Sequence, residues 1–130
     1  MIKTIVGVAS GIISLMVGSL GLIFCVLLGL MAIDFISGFI AGAVTEGLKS
    51  SKGKVGLLKK LYIILLIGSV YLIELAVLKS KGVVTDGISG AFAIMEFVSI
   101  TENGGKLGLP IPSRLKDLIA SLKGDRQEGE

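Results

Sequence analysis

Residues 4–45 have the sequence TIVGVASGIISLMVGSLGLIFCVLLGLMAIDFISGFIAGAVT, in which Asp34 is the only charged residue. An α-helix rises about 1.5 Å per residue, so this stretch would extend about 63 Å, roughly twice the hydrocarbon thickness of a bilayer. Two membrane helices joined by a tight turn suit that length, because a helix satisfies its own backbone polar groups where lipid cannot. The small residues of Gly18-Ser19-Leu20-Gly21 predict the break, which gives helices over residues 4–19 and 22–45.

The composition of the whole chain also indicates an all-α, polytopic membrane protein. Of its 130 residues, 52% are apolar and 18% are charged, with a mean hydropathy of +0.90. A soluble domain normally has about a quarter of its residues charged. The chain has no His, and its single Cys25 lies inside the apolar stretch. We therefore expect no catalytic residue, no metal and no cofactor.

The segment 46–60 is a basic loop in which five lysines face one acid, Glu46. By the positive-inside rule this loop is cytoplasmic. Because it has no aromatic residue and topology explains its charge, we expect no nucleic-acid partner. The lysines are Lys49, Lys52, Lys54, Lys59 and Lys60.

Two further apolar segments follow the basic loop, over residues 57–78 and 83–101. We expect Lys59, Lys60 and Glu74 to extend from the first of them towards the lipid headgroups. The second contains Asp86 and Glu96, so by itself it suits a span, a re-entrant helix or a surface helix.

The charges of the tail favour four crossings over three. If the Lys- and Arg-bearing tail lies on the same side as the basic loop, an even number of crossings separates them, and both termini are then cytoplasmic. Residues 1–101 would form the membrane domain, and residues 102–130 a proline-containing linker, an amphipathic helix and a polar end.

The tail has a helical pattern after its two prolines. Pro110 and Pro112 predict an extended linker, and Ser113 can cap the helix that follows. Apolar residues then recur at helical spacing. This short helix suits either the membrane surface or a neighbouring helix of the same protein. The apolar residues are Leu115, Leu118, Ile119 and Leu122.

Small residues form a continuous seam along the first predicted helix, and Gly38 and Gly42 make a GxxxG pair in the second. Such faces let two helices approach closely in lipid. They predict packing either within one protomer or between protomers. The seam consists of Gly7, Gly11, Ser14, Gly18 and Gly21.

Asp34 lies near the centre of the second predicted helix. A charge there costs about 2.5 to 3.5 kcal/mol on insertion scales, so we expect it to face protein or water. It could line an aqueous lumen, pair with a lysine or hold a proton; alternatively, it lies near an interface and caps a broken helix. With it we group Ser37, Asp86 and Glu96 as intramembrane or pore-lining polar candidates.

Three blocks of the sequence resemble the toxin-secretion/phage-lysis holin family. They are Asp34-Phe35-Ile36-Ser37-Gly38, with the pattern D-x-x-[ST]-G; Gly56-Leu57-Leu58-Lys59-Lys60; and the block from Glu102 to Pro112, with the pattern E-N-x-x-x-L-G-x-P-I-P. The resemblance covers residues from about 22 to 123.

The resemblance implies a bacteriophage or phage-derived holin. Such proteins assemble as homo-oligomers in the bacterial inner membrane and form lesions that release an endolysin for host cell lysis, or in some relatives a toxin. Family members are usually drawn with three spans. Direct binding of the endolysin or toxin is not required, so the implied partners are the lipid bilayer and further copies of the chain.

Two other kinds of protein remain open. A small ion-conducting or proton-carrying subunit could also have one mid-membrane carboxylate, although it would need neither the two later apolar segments nor the tail. An antiholin would join a partner's oligomer and delay lysis instead of causing it.

Overall fold

A computed structural model describes the backbone of residues 1–45, 47 and 50–128, and their side chains except those of residues 13, 15–20, 50–52 and 123–128. Lys49, the side chain of Lys52 and the surroundings of Gly18 lie outside this description. The elements are α1 (Ile2–Thr45), α2 (Ser50–Ile73), a π-helix (Glu74–Leu78), α3 (Val83–Lys106) and α4 (Ser113–Glu128).

Helix α1 is interrupted at Gly21, at the end of the predicted break. Gly21 has φ 84° and ψ −178°, a backbone conformation that is strongly disfavoured for every residue except glycine. We call residues 2–20 the N-terminal arm. In the part of the arm whose side chains are described, residues 2–12 are all exposed, so the arm does not pack on the rest of the bundle there.

Three helical segments in the described residues are long and apolar enough to cross a membrane: Gly21–Thr45, Gly53–Leu78 and Val83–Lys106. A shorter apolar helix, Ile2–Ile12, precedes them. The chain is thus an all-α protein with the helices of a multi-pass membrane protein. A fourth crossing by the N-terminal arm stays a prediction.

The second half of α1 packs against α3, and α2 contacts both less extensively. Gly21 lies next to Asp86 and Gly38 lies next to Asn103, so the second half of α1 runs parallel to α3. Helix α2, which lies between them in the sequence, runs in the opposite direction. The core cluster consists of Phe24, Leu27, Met31 and Ile67, all at most 4% exposed.

Several boundaries differ from those that the sequence predicts. Helix α2 begins at Ser50, so much of the predicted loop 46–60 is helical; lysine favours helix, and no proline stops it. Helix α3 continues past residue 101 to Lys106. At α4, the carbonyl of Pro112 accepts hydrogen bonds from Leu115 and Lys116. Pro112 therefore occupies the position before the helix that we predicted for Ser113.

Candidate functional site

Three charged side chains, one from each membrane-length helix, meet inside the bundle. The Lys60 ammonium lies 2.8 Å from Asp34 Oδ2 and 2.5 Å from Glu96 Oε2. All three side chains are at most 15% exposed. Of the hypotheses for Asp34, the structure favours pairing with a lysine.

Asn103 joins this group from one end of α3. Its side-chain amide donates to Asp34 Oδ1 at 3.0 Å and to Ser37 Oγ at 2.9 Å. The Ser37 hydroxyl donates in turn to the backbone carbonyl of Asp34 at 3.0 Å. We call these five residues, Asp34, Ser37, Lys60, Glu96 and Asn103, the polar cluster.

Helix periodicity places these side chains together. Glu96 and Asn103 are seven residues apart, about two turns, and so share one face of α3. Asp34 and Ser37 are one turn apart on α1. A Cβ atom at Gly38 would lie 3.5 Å from the Asn103 amide nitrogen, which is an ordinary van der Waals distance. Gly38 therefore faces Asn103 within one protomer.

The polar cluster holds the three helices together through charge. Each carboxylate needs the Lys60 ammonium, because an ionised group in a membrane helix is costly without a partner. Removing one member of such a group leaves the others unpaired, which destabilises more than the pairing itself stabilises. Among the described residues, no group of three or more His, Cys, Asp and Glu is placed to hold a metal ion.

A third inward-facing carboxylate, Glu74 at the start of the π-helix, contacts α3. Its Oε1 accepts from the Thr85 N–H at 2.9 Å and the Thr85 hydroxyl at 2.6 Å. Its Oε2 accepts from the Val84 N–H at 2.9 Å and the Ser80 hydroxyl at 2.6 Å. Val84 and Thr85 belong to the first turn of α3, whose free N–H groups favour an anion.

Our expectation that Glu74 extends to the headgroups is therefore wrong. The side chain is fully buried, because the first turn of α3 offers it hydrogen-bond donors that compete successfully with water. Sequence spacing did not reveal this contact, which depends on the path of the chain between Leu78 and Val83. That path includes Lys79 with φ 56° and Gly82 with φ 103°.

Lys60 also differs from its expected place. The sequence groups it with the solvated lysines, but its side chain turns inward to two carboxylates, whereas Lys54 and Lys59 are exposed. An ammonium inside the bundle is favoured because Asp34 and Glu96 face it there. The sequence feature that could have indicated this inward orientation is the position of Lys60 at the start of a long apolar segment.

The remaining predicted residues are not members of the polar cluster. Asp86 is partly buried near Gly21, at the other end of α3. Ser14 is exposed. At Gly7, Gly11 and Gly42, no described atom outside the local helix backbone lies within 4 Å of where a Cβ would be.

Asn103 is the cluster member that residue-by-residue reasoning did not single out. It stands in the block Glu102 to Pro112, and Asp34, Ser37 and Gly38 stand in the first block. Lys60 ends the second block. The three blocks that carry the family resemblance thus meet at one place in the fold.

Comparison with known proteins gives one family and several relatives. The model of the bacteriophage holin family matches residues 11–124. The uncharacterized protein BH0965 of Halalkalibacterium halodurans is 31% identical over 133 aligned positions, covering 98% of each chain. The uncharacterized protein Lin0175 of Listeria innocua is 31% identical, covering 85% of this chain and 81% of the relative. The uncharacterized protein YtkC of Bacillus subtilis is 33% identical, covering 77% of this chain and 74% of the relative. No solved structure matches.

Proposed function

Because this chain belongs to the bacteriophage holin family, we propose that it acts as a holin. It assembles in the bacterial inner membrane into lesions, and a cytoplasmic endolysin or a toxin leaves through them. The endolysin or toxin needs only a hole of sufficient width, so the proposal requires no direct contact between the two proteins.

The observation that carries this proposal is the polar cluster inside an otherwise apolar bundle. The wall of a protein-sized hole needs one surface towards lipid and one towards water. Large apolar side chains such as Ile36, Phe39, Leu65 and Leu72 are exposed on the outside of the bundle. Asp34, Lys60, Glu96 and Asn103 would supply the water-facing surface if the helices separate.

In a single protomer, this polar surface faces the inside of the bundle. The ion pairs of Lys60 hold α2 against α1 and α3, and α2 otherwise contacts the other two less extensively than they contact each other. We therefore propose that lesion formation involves a movement of α2 that breaks these ion pairs.

The N-terminal arm is the element that we propose for contact between copies. The arm carries four residues of the small-residue seam: Gly7, Gly11, Ser14 and Gly18. At Gly7 and Gly11, the two glycines of the arm whose surroundings are described, no other part of the protomer packs against the helix. In lipid, small residues on one helix face allow a second helix to approach closely. Gly42 is similarly open, whereas Gly38 already contacts Asn103 within the protomer.

The described start of α2 and the end of α3, after which the tail begins, lie at one end of the bundle, which we propose is the cytoplasmic end. Thr45, Gly53 and Lys106 line one common cleft, so α1 and α3 end on the side where α2 begins. If the N-terminal arm also crosses the membrane, the N-terminus is cytoplasmic as well.

Controlled expression in a bacterium tests the proposed function. With a cytoplasmic endolysin we expect an abrupt fall in optical density after a delay. With a catalytically inactive endolysin, we expect membrane permeabilisation and release of a folded cytoplasmic reporter enzyme into the periplasm, without lysis.

Other outcomes would assign the chain differently. Leakage of protons without release of the reporter enzyme would indicate an ion-conducting subunit. Delayed lysis when the chain is expressed together with a known holin, and none when it is expressed alone, would indicate an antiholin. Accumulation in the membrane without any permeability change would contradict all pore-forming functions.

A further inference from the structure

A cleft of about 320 Å³ opens at the end of the bundle where α1 and α3 terminate. Its mouth includes Thr45 and Lys106, and its inner end reaches Asp34 and Lys60. Asp34 lies 11 residues before Thr45. That separation is about 16 Å along a helix, about half the hydrocarbon thickness of a bilayer.

Glycines and polar side chains are the most frequent lining residues, and Phe35, Phe39 and Ala41 supply the apolar part. Gly42 on α1 and Gly53 and Gly56 on α2 each leave open space where a side chain would stand, with no described atom outside the local helix backbone within 4 Å of a built Cβ. Ser99 and Asn103 contribute polar groups from α3. Small residues on facing helices keep the cleft open, and its inner end is charged.

The core cluster closes the other half of the bundle. Phe24, Leu27 and Ile67 are fully buried, and Met31 is 4% exposed. Met31 lies one turn beyond Asp34 towards the opposite end of the bundle, and Ile67 lies two turns beyond Lys60 in the same direction. The charged residues thus have an open path to one end and packed apolar side chains towards the other.

We propose that the cleft is a water-filled half-channel that connects the polar cluster to the side of the membrane where the basic loop lies. Its volume is many times what one water molecule needs, and its polar groups give water hydrogen-bond partners. Water in the cleft lowers the cost of keeping the charged side chains of Asp34 and Lys60, which line it, at mid-membrane depth. Small hydrophilic solutes enter from this side, and the core cluster blocks their passage.

This property belongs to the protomer before assembly and goes beyond the proposed function. It requires a membrane-spanning bundle but no lesion. A chain that fails to lyse cells could still contain the half-channel, so the two proposals fail separately.

Cysteine accessibility tests the half-channel. Replacing the single native cysteine (Cys25→Ser) gives a background without reactive thiols. Gly42→Cys and Ser99→Cys place a thiol in the cleft. Ile40→Cys is the matched control on the outer face of α1, where Ile40 is 48% exposed. Lys54→Cys marks the side on which the basic loop lies, because Lys54 is exposed and adjoins Gly53 at the mouth of the cleft.

Sealed inverted and right-side-out membrane vesicles are treated with a charged, membrane-impermeant methanethiosulfonate reagent. Retention of a trapped dye shows that no lesion has formed. We expect Gly42→Cys and Ser99→Cys to react from the Lys54 side at least about tenfold faster than Ile40→Cys, because the reactive thiolate forms in water and not in an apolar environment.

Two results would overturn the proposal. One is reaction of both cleft cysteines no faster than Ile40→Cys; the other is equal reaction from both sides of sealed vesicles. Each variant must accumulate and unfold at the same temperature as the Cys25→Ser parent. If Gly42→Cys fails this check, Gly56→Cys replaces it, since its Cβ also meets open space.

Discussion

Individual residues set the strength of the contacts between the membrane helices. Lys60 shares its ammonium between Asp34 and Glu96, and Glu74 accepts four hydrogen bonds, three of them from the first turn of α3. Each joins one helix to another. Substitutions at these positions should therefore change how the helices hold together without changing whether they form.

We expect Lys60→Met to cause earlier lysis and to lower the unfolding temperature in detergent. The variant leaves two carboxylates without their cation, a loss of about 3 kcal/mol, and frees α2 to move. Lys59→Met is the matched control, because it removes the same charge from the neighbouring, exposed position. Equal lysis times for the two variants would exclude the Lys60 ion pairs from the timing mechanism.

We expect Glu74→Gln to destabilise the protein by about 1 to 3 kcal/mol. Each carboxylate oxygen of Glu74 accepts two hydrogen bonds, and in the variant the amide nitrogen, which is itself a donor, would replace one of these oxygens. Thermal unfolding in detergent, followed by circular dichroism, measures the change. Asp117→Asn makes the same kind of substitution at an exposed position of α4 and should change the unfolding temperature little. If the two variants have the same unfolding temperature, Glu74 does not stabilise α3.

At the scale of elements, Gly21 divides α1 into the N-terminal arm and a membrane-length helix. Without this break, the 44 residues of α1 would form one rod much longer than a bilayer is thick. Gly29, later in the same helix, is exposed and has no such role. The two glycines therefore offer a comparison within one element.

Replacing each of these glycines with alanine should have opposite effects. Gly21→Ala should destabilise the fold by about 1 to 3 kcal/mol, because alanine strongly disfavours φ 84° with ψ −178°. Gly29→Ala should stabilise it by up to about 1 kcal/mol, because alanine favours helix more than glycine does. Thermal unfolding of both variants in the same detergent gives the comparison. If Gly21→Ala proves as stable as Gly29→Ala, then α1 does not break at Gly21.

At the scale of the whole molecule, the bundle and the arm have different surroundings. The second half of α1, α2 and α3 bury a polar cluster and a core cluster among themselves. The described part of the arm is exposed on all sides, with Ile2, Ile5 and Val6 between 56% and 78% exposed. We therefore assign the arm to contacts outside its own bundle.

Oxidative cross-linking tests this assignment. In the Cys25→Ser background, Gly11→Cys should form disulfide-linked dimers in membranes, because two seams in contact bring equivalent positions within disulfide distance. Ala9→Cys lies on the opposite face of the same helix and is the matched control. Equal dimer formation at both positions, measured by non-reducing electrophoresis, would show that the seam does not direct association.

Much of the architecture could be predicted from the sequence. Apolar length gives the membrane helices, since a bilayer leaves few other ways to satisfy the backbone. The cluster Gly18 to Gly21 contains the glycine at which α1 breaks. Apolar length does not give exact boundaries, because α2 and α3 continue as helices into more polar sequence at residues 50–56 and 102–106.

The sequence by itself determined an all-α membrane protein with a charge at the centre of one helix, because hydrophobic length and the cost of burying charge are local properties. Only the tertiary structure decided that Lys60 turns inward and that Glu74 caps α3. Only the tertiary structure brought Asn103 to Asp34. These contacts join residues 11 to 69 positions apart. They depend on the turn between Leu78 and Val83 and on the packing of α1, α2 and α3 against one another, which no periodicity within a single helix encodes.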